Sequence, residues 1–345
     1  MNQDRGIATR KLDHVRINLH EDVSSASANG FERYRLVHRA LPEIDLDDVT
    51  TAVVVLGRRL ESPFLVSSMT GGAPGLELLN RRLAEAAQRW RIAIGVGSQR
   101  AAIESQDAAA SFRVRDVAPD CLLLANLGAV QLNYGYGVDE CRRAVDGIQA
   151  DALILHLNPL QEAVQPEGDT RFGGLLERIA AVARALDVPV VVKEVGWGIG
   201  AEDARRLADA GVAAIDVAGA GGTSWTEVER HRAVDARGAA VAGAFRGWGH
   251  PTADSLVAVK AVAGRIPVFA SGGIRDGVEA AKALALGAAL VGLAGPLLRA
   301  AEAGDEALDD ALHVLVRTLR VAMFAVGAVD VAALARPGTI ARGDA

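Results

Sequence analysis

A chain of 345 residues with 50% apolar composition can bury a large core, either as one big barrel or as two smaller domains. Its net charge of −6 excludes proteins that coat nucleic acid or bind acidic membranes through their overall charge, so an anionic ligand must meet a local basic cluster. Cys121 and Cys141 lack disulfide or zinc-site spacing, and no signal peptide or membrane span is visible, so we expect a soluble, cytoplasmic protein.

From Pro63 onward, short apolar runs alternate with segments of helical period, which is typical of βα units around a parallel sheet. Each run is nearly continuously apolar, as a strand covered on both faces requires. The eight predicted strands are PFLVSS from Pro63, RIAIGVGS from Arg91, CLLLANLG from Cys121, ALILHLN from Ala152, VPVVVKEV from Val188, AAIDVAGA from Ala213, IPVFASGG from Ile266 and ALVGLAG from Ala289. Eight parallel strands in one domain predict a closed (β/α)8, or TIM, barrel.

Three segments between these strands have the apolar periodicity of amphipathic helices. They are Leu78–Trp90, Leu175–Leu186 and Ala201–Ala210. Residues 221–250 lengthen the connection between strands six and seven, and long insertions at such positions often form lids over the catalytic face. We therefore predict a single α/β domain in which an N-terminal extension, residues 1–62, precedes the barrel, residues 63–345.

Small residues follow the last two predicted strands, in SGGIRDG and GLAGPLL. Glycine allows backbone N–H groups and a helix N-terminus to approach an anion closely, and paired turns after strands seven and eight are the usual phosphate site of this fold. Glycine-rich turns also serve tight packing alone. The pair of turns at this separation favours phosphate binding.

Lys193 lies at the end of the predicted strand VPVVVKEV, where burial makes an unpaired lysine costly. An internal ion pair with Glu194 or Asp216 would satisfy it, although side-chain alternation points Glu194 away from Lys193. The other interpretation, which we prefer, is an anionic or polar ligand.

The segment HLNPLQE after strand four combines imidazole, amide and carboxylate groups. His156 and Asn158 are expected on one strand face, with Gln161 and Glu162 in the following turn. A single carboxylate suits Mg2+, which commonly binds one or two protein carboxylates together with substrate phosphate oxygens. The segment contains no Ser-His-Asp order and no matched pair of acids, so hydrolysis is not indicated.

The segment RKLDHVR gathers Arg10, Lys11, His14 and Arg16 ahead of the first strand. Such a basic run is usually solvated or disordered. In an acidic protein with a phosphate-type site, it can instead act as an arm that closes over a diphosphate. Arg100, in GVGSQR, would add another cation at the rim of the barrel.

Together these motifs resemble the type 2, FMN-dependent isopentenyl-diphosphate isomerases, from Arg10 to about Gly338. The matching segments are RKLDH, SSMTGG, GVGSQR, ANLG, HLNPLQE, VVKEVGWG, GAGGTSW, WGHPT, SGGIRDG and LAGPLL. SSMTGG and the SGG turn also occur in other FMN barrels, whereas RKLDH together with HLNPLQE is much more specific.

The resemblance implies FMN at the mouth of the barrel and a diphosphate beside it. The implied cofactor contacts are Ser68, Met69, Thr70, Ser98 and Asn126 at the ring and ribityl chain, Lys193 at the pyrimidine edge, and Thr223, Gly273, Arg275, Ala294 and Gly295 at the phosphate. The implied substrate contacts are Arg10, Lys11, Ser98, Arg100, His156, Asn158 and Gln161, with Glu162 holding Mg2+.

The implied reaction interconverts isopentenyl diphosphate and dimethylallyl diphosphate by adding a proton at one carbon and removing another, without net oxidation. Reduced FMN, maintained by NADPH, would be the principal acid and base. Gln161, Lys193 and His156 are the implied catalytic side chains, and Gln161 would have a lesser part in proton movement. Family members are commonly homo-oligomers, which predicts a homotetramer or homo-octamer.

Two other interpretations remain open at this point. The first is an FMN-dependent oxidase or dehydrogenase of 2-hydroxy acids, which would share Lys193 and the phosphate site but needs a histidine beside Arg275. The second is a flavin-free barrel that binds a sugar phosphate or a nucleotide, which leaves SSMTGG and Lys193 without a role. A nucleotide reductase would need a cysteine after strand six, where GAGGTSW has none.

Overall fold

The protein is described here by a computed structural model that covers residues 2–73 and 75–343. Eight parallel strands form one closed barrel in the order β10-β11-β4-β5-β6-β7-β8-β9, which confirms the predicted (β/α)8 fold. The strands are β1 (Tyr34–Leu36), β2 (Val53–Val55), β3 (Arg58–Leu60), β4 (Phe64–Val66), β5 (Ala93–Gly95), β6 (Leu123–Gly128), β7 (Ala152–Leu157), β8 (Val190–Glu194), β9 (Ala214–Asp216), β10 (Val268–Ser271), β11 (Leu290–Leu293) and β12 (Ile340–Arg342). Each of the predicted runs contains one barrel strand.

Helices surround the barrel and cross its ends. They are α1 (Asn2–His20), α2 (Glu77–Trp90), α3 (Arg100–Glu104), α4 (Gln106–Ala109), α5 (Val138–Ile148), α6 (Pro159–Val164), α7 (Leu175–Ala185), α8 (Ala201–Asp209), α9 (Trp225–Arg232), α10 (Ala236–Gly243), α11 (Thr252–Lys260), α12 (Gly277–Ala285), α13 (Gly295–Ala303), α14 (Asp305–Ala325) and α15 (Val331–Leu334). The three helices predicted from periodicity correspond to α2, α7 and α8. Within the described part of the chain, no helix is both long and apolar enough to span a membrane.

Helix α12, which follows the SGGIRDG turn, shows why these segments fold locally. The side chain of Asp276 accepts hydrogen bonds from the backbone N–H groups of Val278 and Glu279, an N-cap that satisfies two otherwise unpaired donors. A Cβ atom on Gly277 would lie 2.4 Å from the backbone nitrogen of Leu319, so glycine allows α12 to pack closely on α14. This packing anchors the turn that precedes α12.

The antiparallel hairpin β2–β3 closes the end of the barrel at which the strands have their N-termini. Val55 and Leu60 of this hairpin are buried and pack against inward-facing residues of the barrel. Those residues include Leu65, Leu124, Ile154, Val191 and Phe269. Because apolar side chains fill the interior at this end, the barrel is a packed core, and ligands must bind at the opposite end.

The opposite end, where the strands reach their C-termini, is covered by α1 and by the insertion between β9 and β10. That insertion folds into α9 and α10, and α1 packs against α9, α13 and α3. Ile17 of α1 and Val23 form a small apolar cluster with Val228 and Trp225. The segment before the barrel therefore reaches both ends of it, and β1 also pairs with β12 near the other chain terminus.

Candidate active site

Two adjoining cavities lie at the C-terminal ends of the barrel strands, and we call them the larger cavity, of about 410 Å³, and the smaller cavity, of about 150 Å³. The predicted site residues in the larger cavity are Ser68, Met69, Lys193, Thr223, Gly273, Arg275, Ala294 and Gly295. Those in the smaller cavity are Arg10, Lys11, Ser68, Met69, Ser98, Arg100, Asn126, His156, Asn158, Gln161, Glu162 and Lys193. Ser68, Met69 and Lys193 lie at the boundary and line both.

Thr70 differs from the other predicted site residues because it lines neither cavity. It is 3% exposed, and its hydroxyl donates a hydrogen bond to the amide oxygen of Asn80 on α2. Its backbone oxygen accepts a hydrogen bond of 2.8 Å from the N–H of Gly97. In this conformation Thr70 supports the loops around the site from behind.

Lys193 forms an internal ion pair and also faces the cavities. Its Nζ lies 3.1 Å from Oδ2 of Asp216 and 3.1 Å from Oγ of Ser271. Parallel pairing of β7, β8 and β9 sets His156, Lys193 and Asp216 side by side. The ion pair that the sequence left as an alternative is thus present, and it holds a positive charge at the boundary of the two cavities.

Glu194 serves the backbone on the other face of the same strand. One oxygen, Oε2, accepts hydrogen bonds from the backbone N–H groups of four consecutive residues, 195 to 198, at 2.5 to 3.2 Å. Burial raises the pKa of Glu194 to about 7, although these hydrogen bonds act to lower it. As side-chain alternation predicts, the Glu194 carboxylate organises the VGWG loop, and Lys193 Nζ meets Glu194 only at its backbone oxygen, at 3.1 Å, in the described structure.

His156 is held by Asn126 across neighbouring strands. Its Nδ1 lies 2.8 Å from the amide oxygen of Asn126, and because an amide oxygen can only accept, Nδ1 is the donor. Burial, together with the charges of Lys193 and Lys11, lowers the pKa of His156 to about 4. The imidazole is therefore neutral at pH 7, and the positive charge of the smaller cavity comes from lysine and arginine side chains.

A buried carboxylate that the sequence did not single out, Glu229 of α9, orders one wall of the smaller cavity. Its Oε1 accepts hydrogen bonds of 3.0 Å from Nε2 of Gln161 and of 3.0 Å from Nε2 of His14, and Oε2 lies 2.5 Å from Nη1 of Arg232. Burial acts to raise the pKa of Glu229, but these donors outweigh it and the pKa lies below its ordinary value. The amide of Gln161 is thereby fixed in orientation.

Trp225, at the first position of α9, also lines both cavities. Its ring meets that of His14 edge to face, with centroids 5.2 Å apart. The motif GAGGTSW ends at Trp225, where α9 begins, whereas Glu229 lies beyond the motif and had no sequence signal. The pairing of α9 with α1, 215 residues apart for His14 and Glu229, had no local signal.

Glu162 lies on α6, and both of its carboxylate oxygens already accept hydrogen bonds. Oε1 accepts from the amide of Asn158 at 2.8 Å, and Oε2 accepts from the backbone N–H of Asp169 at 2.7 Å. Burial raises its pKa, against these hydrogen bonds and the nearby Arg10. No group of three or more metal-binding side chains occurs among the described residues, so a cation here would need further oxygens from a ligand or water.

The predicted basic arm lies on α1, and Lys11 docks against the barrel. Its Nζ donates hydrogen bonds to the backbone oxygens of Gly71, at 2.7 Å, and Ser98, at 2.5 Å, and lies 4.9 Å from the ring centre of Phe112. Burial and the neighbouring Arg10 lower the pKa of Lys11 to about 7. With this pKa, Lys11 is about half protonated near pH 7, and the hydrogen-bond partners of its Nζ are neutral backbone oxygens.

Arg100 is fixed by carboxylates. Its guanidinium lies 3.0 Å from Oε1 of Glu104 and 2.6 Å from Oδ2 of Asp169, which also accepts a hydrogen bond from Gln131. Since Asp169 also donates its backbone N–H to Glu162, one short loop positions both the rim arginine and the predicted metal ligand.

The glycines after β10 meet the loop after β9. Gly272 and Gly273 have φ of 106° and 74°, in the left-handed region that favours glycine. A Cβ atom on Gly272 would lie 2.1 Å from the backbone oxygen of Gly219, and one on Gly273 would lie 2.3 Å from that of Gly221. Tight packing therefore requires these glycines, and the same packing places their backbone along the larger cavity.

Hydroxyl groups without a protein partner mark the larger cavity. The Oγ atoms of Ser67 and Ser68 are buried and form no hydrogen bond within the described structure. A buried hydroxyl without a partner is costly, and both serines line this cavity. The combination of unpaired hydroxyls, exposed glycine backbone and the Lys193 ammonium group fits a polar, phosphate-bearing cofactor such as FMN.

Comparison with known proteins agrees with this geometry. Residues 160–341, more than half of the chain, match the family of FMN-dependent dehydrogenases. The same fold occurs in a mandelate oxidase variant with (S)-mandelic acid, with a TM-score of 0.65 and 24% identity over 100% of this chain and 98% of that one. A second mandelate oxidase structure, with a difluorinated hydroxy acid, has a TM-score of 0.63 and 23% identity over 98% of this chain and 99% of that one. Fold and site thus define an FMN-dependent barrel.

Curated relatives are similar over nearly their whole length. Isopentenyl-diphosphate delta-isomerases from Synechocystis sp. and Stutzerimonas stutzeri are both 54% identical, over 95% and 96% of this chain and 94% and 96% of their own. The same enzyme from Nostoc sp. is 50% identical over 97% of this chain and 96% of its own. The chain therefore belongs to the isopentenyl-diphosphate delta-isomerase family, of the FMN-dependent type, as its motifs predicted.

Proposed function

We propose that the protein interconverts isopentenyl diphosphate and dimethylallyl diphosphate, with FMN in the larger cavity and the diphosphate substrate in the smaller one. The observation that carries the proposal is that the two cavities meet at Ser68, Met69, Lys193 and Trp225. A cofactor in one cavity and a substrate in the other would face each other across these side chains. When bound, reduced FMN supplies an exchangeable proton and an electron-rich ring for the movement of a double bond.

Hydrogen bonds within the protein position side chains at and beside this boundary. Asp216 and Ser271 fix the ammonium group of Lys193, and Asn126 fixes the ring of His156. Lys193 would supply positive charge to a bound flavin at this boundary, and neutral His156 can hydrogen-bond without adding charge. Together with Gln161, these are the side chains to which we assign catalytic roles.

Gln161 is the side chain that we assign to proton movement near the substrate. Its Nε2 donates to Glu229, while its Oε1 accepts from Asn158 at 3.2 Å. The amide therefore cannot rotate freely, and its orientation depends on the charge of Glu229. Since Gln161 is only 8% exposed, water has little access to the protons that it would help to move.

The diphosphate would lie toward the basic arm. The cations on this side are Arg10, Lys11 and Arg100, and the neutral side chains of Ser98 and Asn158 line the same cavity. Burial lowers the pKa of both Arg10 and Lys11, so a diphosphate anion would restore favourable pairing for two desolvated cations. We place Mg2+ at Glu162, where substrate oxygens and water would complete the shell of the single carboxylate.

Three further parts of the proposal rest on the family resemblance. NADPH would keep the flavin reduced, the enzyme would be cytoplasmic, and the active assembly would be a homotetramer or a homo-octamer. Light scattering on the purified protein measures the assembly, and the rate of flavin bleaching by NADPH compared with NADH measures the choice of reductant.

A 2-hydroxy acid oxidase is the other candidate, because the fold is shared with mandelate oxidases. That chemistry needs a histidine base beside the arginine after the seventh barrel strand, where this chain has Ile274 and Asp276 on either side of Arg275. The basic arm on α1 and the Glu162 carboxylate serve a diphosphate better than they serve a small carboxylate.

The test is an anaerobic assay with FMN, NADPH and Mg2+ in D2O, in which NMR follows the conversion of isopentenyl diphosphate. We expect dimethylallyl diphosphate carrying deuterium, and no product when the reductant is omitted. A flavin-containing protein that oxidises 2-hydroxy acids and leaves isopentenyl diphosphate unchanged would replace this proposal with the oxidase.

A further inference from the structure

The larger cavity contains an arginine to which neither the motifs nor the proposed function assigns a role. Arg299 lies on α13, one helical turn after Gly295, and lines this cavity together with Arg275. Because helical side chains lean toward the N-terminus of their helix, a residue at this position covers the first turn. Nη1 and Cζ of Arg299 lie 3.2 and 3.8 Å from the place that a Cβ atom on Gly295 would occupy. The missing side chain of Gly295 thus makes room for the guanidinium.

The position of this cation is electrostatically unfavourable in the protein alone. The N-terminus of a helix carries partial positive charge, so arginines are stabilised at the opposite end. Within the described structure, no carboxylate lies within 4.0 Å of the guanidinium of Arg299, and Arg275 has only the backbone oxygen of Gly221, at 3.0 Å. Glu21 lines the same cavity without pairing with either arginine. Two guanidinium groups and a helix N-terminus therefore line one cavity, and no carboxylate of the described structure pairs with either guanidinium.

A separate observation also indicates a ligand on this side of the cavity. Ser67 is 3% exposed, and its Oγ has no hydrogen-bond partner although it lines the cavity. The backbone N–H of Ser67 donates to the oxygen of Leu293, the residue before the α13 turn, at 2.9 Å. An unpaired buried hydroxyl thus adjoins the strand that leads to Gly295.

We propose that Arg299 is a second phosphate-binding arginine of the cofactor site, and that it closes with Arg275 over the phosphate of FMN. A guanidinium is suited to this because it can donate two parallel hydrogen bonds to phosphate oxygens. The inference rests on FMN as the cofactor of the proposed function. It does not depend on which reaction the protein catalyses.

The test compares the binding of FMN with that of riboflavin, which has the same ring and lacks the phosphate. Flavin is removed from the purified protein, and the dissociation constants are measured by fluorescence quenching for the wild type, Arg299→Gln and Arg299→Lys. We expect Arg299→Gln to weaken FMN on the order of 10-fold to 100-fold while riboflavin changes less than about twofold. Arg299→Lys should recover part of the loss, and added salt should weaken FMN binding more in the wild type than in Arg299→Gln.

Arg178→Gln is the matched control, because Arg178 is an exposed arginine on α7 outside both cavities. It should leave both dissociation constants unchanged. Equal weakening of FMN and riboflavin in Arg299→Gln would assign Arg299 to folding and overturn the proposal, as would unchanged FMN binding. A wild-type protein that binds neither flavin would overturn both this proposal and the assignment of FMN as the cofactor. If the protein binds FMN but lacks isomerase activity, the proposed reaction is wrong, and the ratio of the FMN and riboflavin dissociation constants still decides the role of Arg299.

Discussion

The two cavities are built in different ways, although they share a wall. The larger cavity has many glycine, serine and alanine residues at the ends of the barrel strands, with α1 and the segment after it on one side, and close contacts between loops require its glycines. The smaller cavity is lined by charged and amide side chains that reach it from α1, α6 and the neighbourhood of α9. In the proposed assignment, the barrel end would hold the cofactor through many turnovers, while the basic arm and the inserted helix would complete the substrate site from outside the barrel.

The contrast predicts that substitutions in the smaller cavity affect turnover and leave the cofactor in place. The largest effect should come from Glu162→Gln, which removes the charge that we assign to Mg2+. We expect turnover to fall on the order of 100-fold, with flavin content unchanged. Steady-state kinetics over a range of Mg2+ concentrations, with flavin absorbance on the same sample, measures both quantities. Glu177→Gln on the surface of α7 is the control, and a parallel loss of flavin and activity would contradict the assignment.

The converse prediction concerns the glycine turn of the larger cavity. Gly273→Ala adds a Cβ atom 2.3 Å from the backbone oxygen of Gly221, at a φ of 74°. We expect loss of flavin and a lower thermal unfolding temperature, from about 1–3 kcal/mol of backbone strain plus the clash. Gly264→Ala is the control, because Gly264 also has a positive φ, of 60°, but an added Cβ atom would meet no other atom of the described structure. This variant has backbone strain without a clash, and it should keep its flavin. Comparable flavin loss in both variants would show that backbone strain alone explains the effect.

A smaller effect is expected from the carboxylate that orients Gln161. Glu229→Gln removes the charge that fixes Gln161, His14 and Arg232, and we expect kcat to fall roughly 10-fold with flavin retained. Glu227→Gln is a close control, since Glu227 is also buried on α9 but pairs with Arg230 and lines neither cavity. Melting temperatures would show any shared loss of stability. A kcat that falls equally in both variants would mean that Glu229 acts only through the stability of α9.

The smallest effect concerns the pH dependence of the basic arm. The pKa of Lys11, about 7 in the folded protein, lies below its ordinary value of 10.5, so between these values the unfolded chain binds more protons. In this window the Lys11 contribution to stability rises with pH, while the cation available to a diphosphate is lost. We expect substrate affinity to fall severalfold more steeply above pH 7 in the wild type than in Lys11→Gln, as measured by calorimetric titration. Parallel pH profiles would show that Lys11 does not contribute.

The barrel and the end of it at which the candidate site lies could be predicted from the sequence because their signals are local. Continuous apolar runs mark strands that are buried on both faces, and the residues that follow them must lie at one end of a parallel barrel. This rule predicts that HLNPLQE and SGGIRDG lie at that end, and polar residues and glycines of both segments line the cavities.

Tertiary structure alone decided which of these groups meet and in what charge state. Thr70 follows a strand as Ser68 does, yet it bonds to Asn80 behind the site, because the turn of the loop after β4 sets its direction. Glu229 and Arg299 carried no signal of their own, and the basic run did not show that His14 meets Glu229, since these roles depend on contacts between distant segments and on space left by a glycine. Strand periodicity reports on the nearest neighbours along the chain, whereas burial, pKa and the pairing of charges depend on atoms that only the fold brings together.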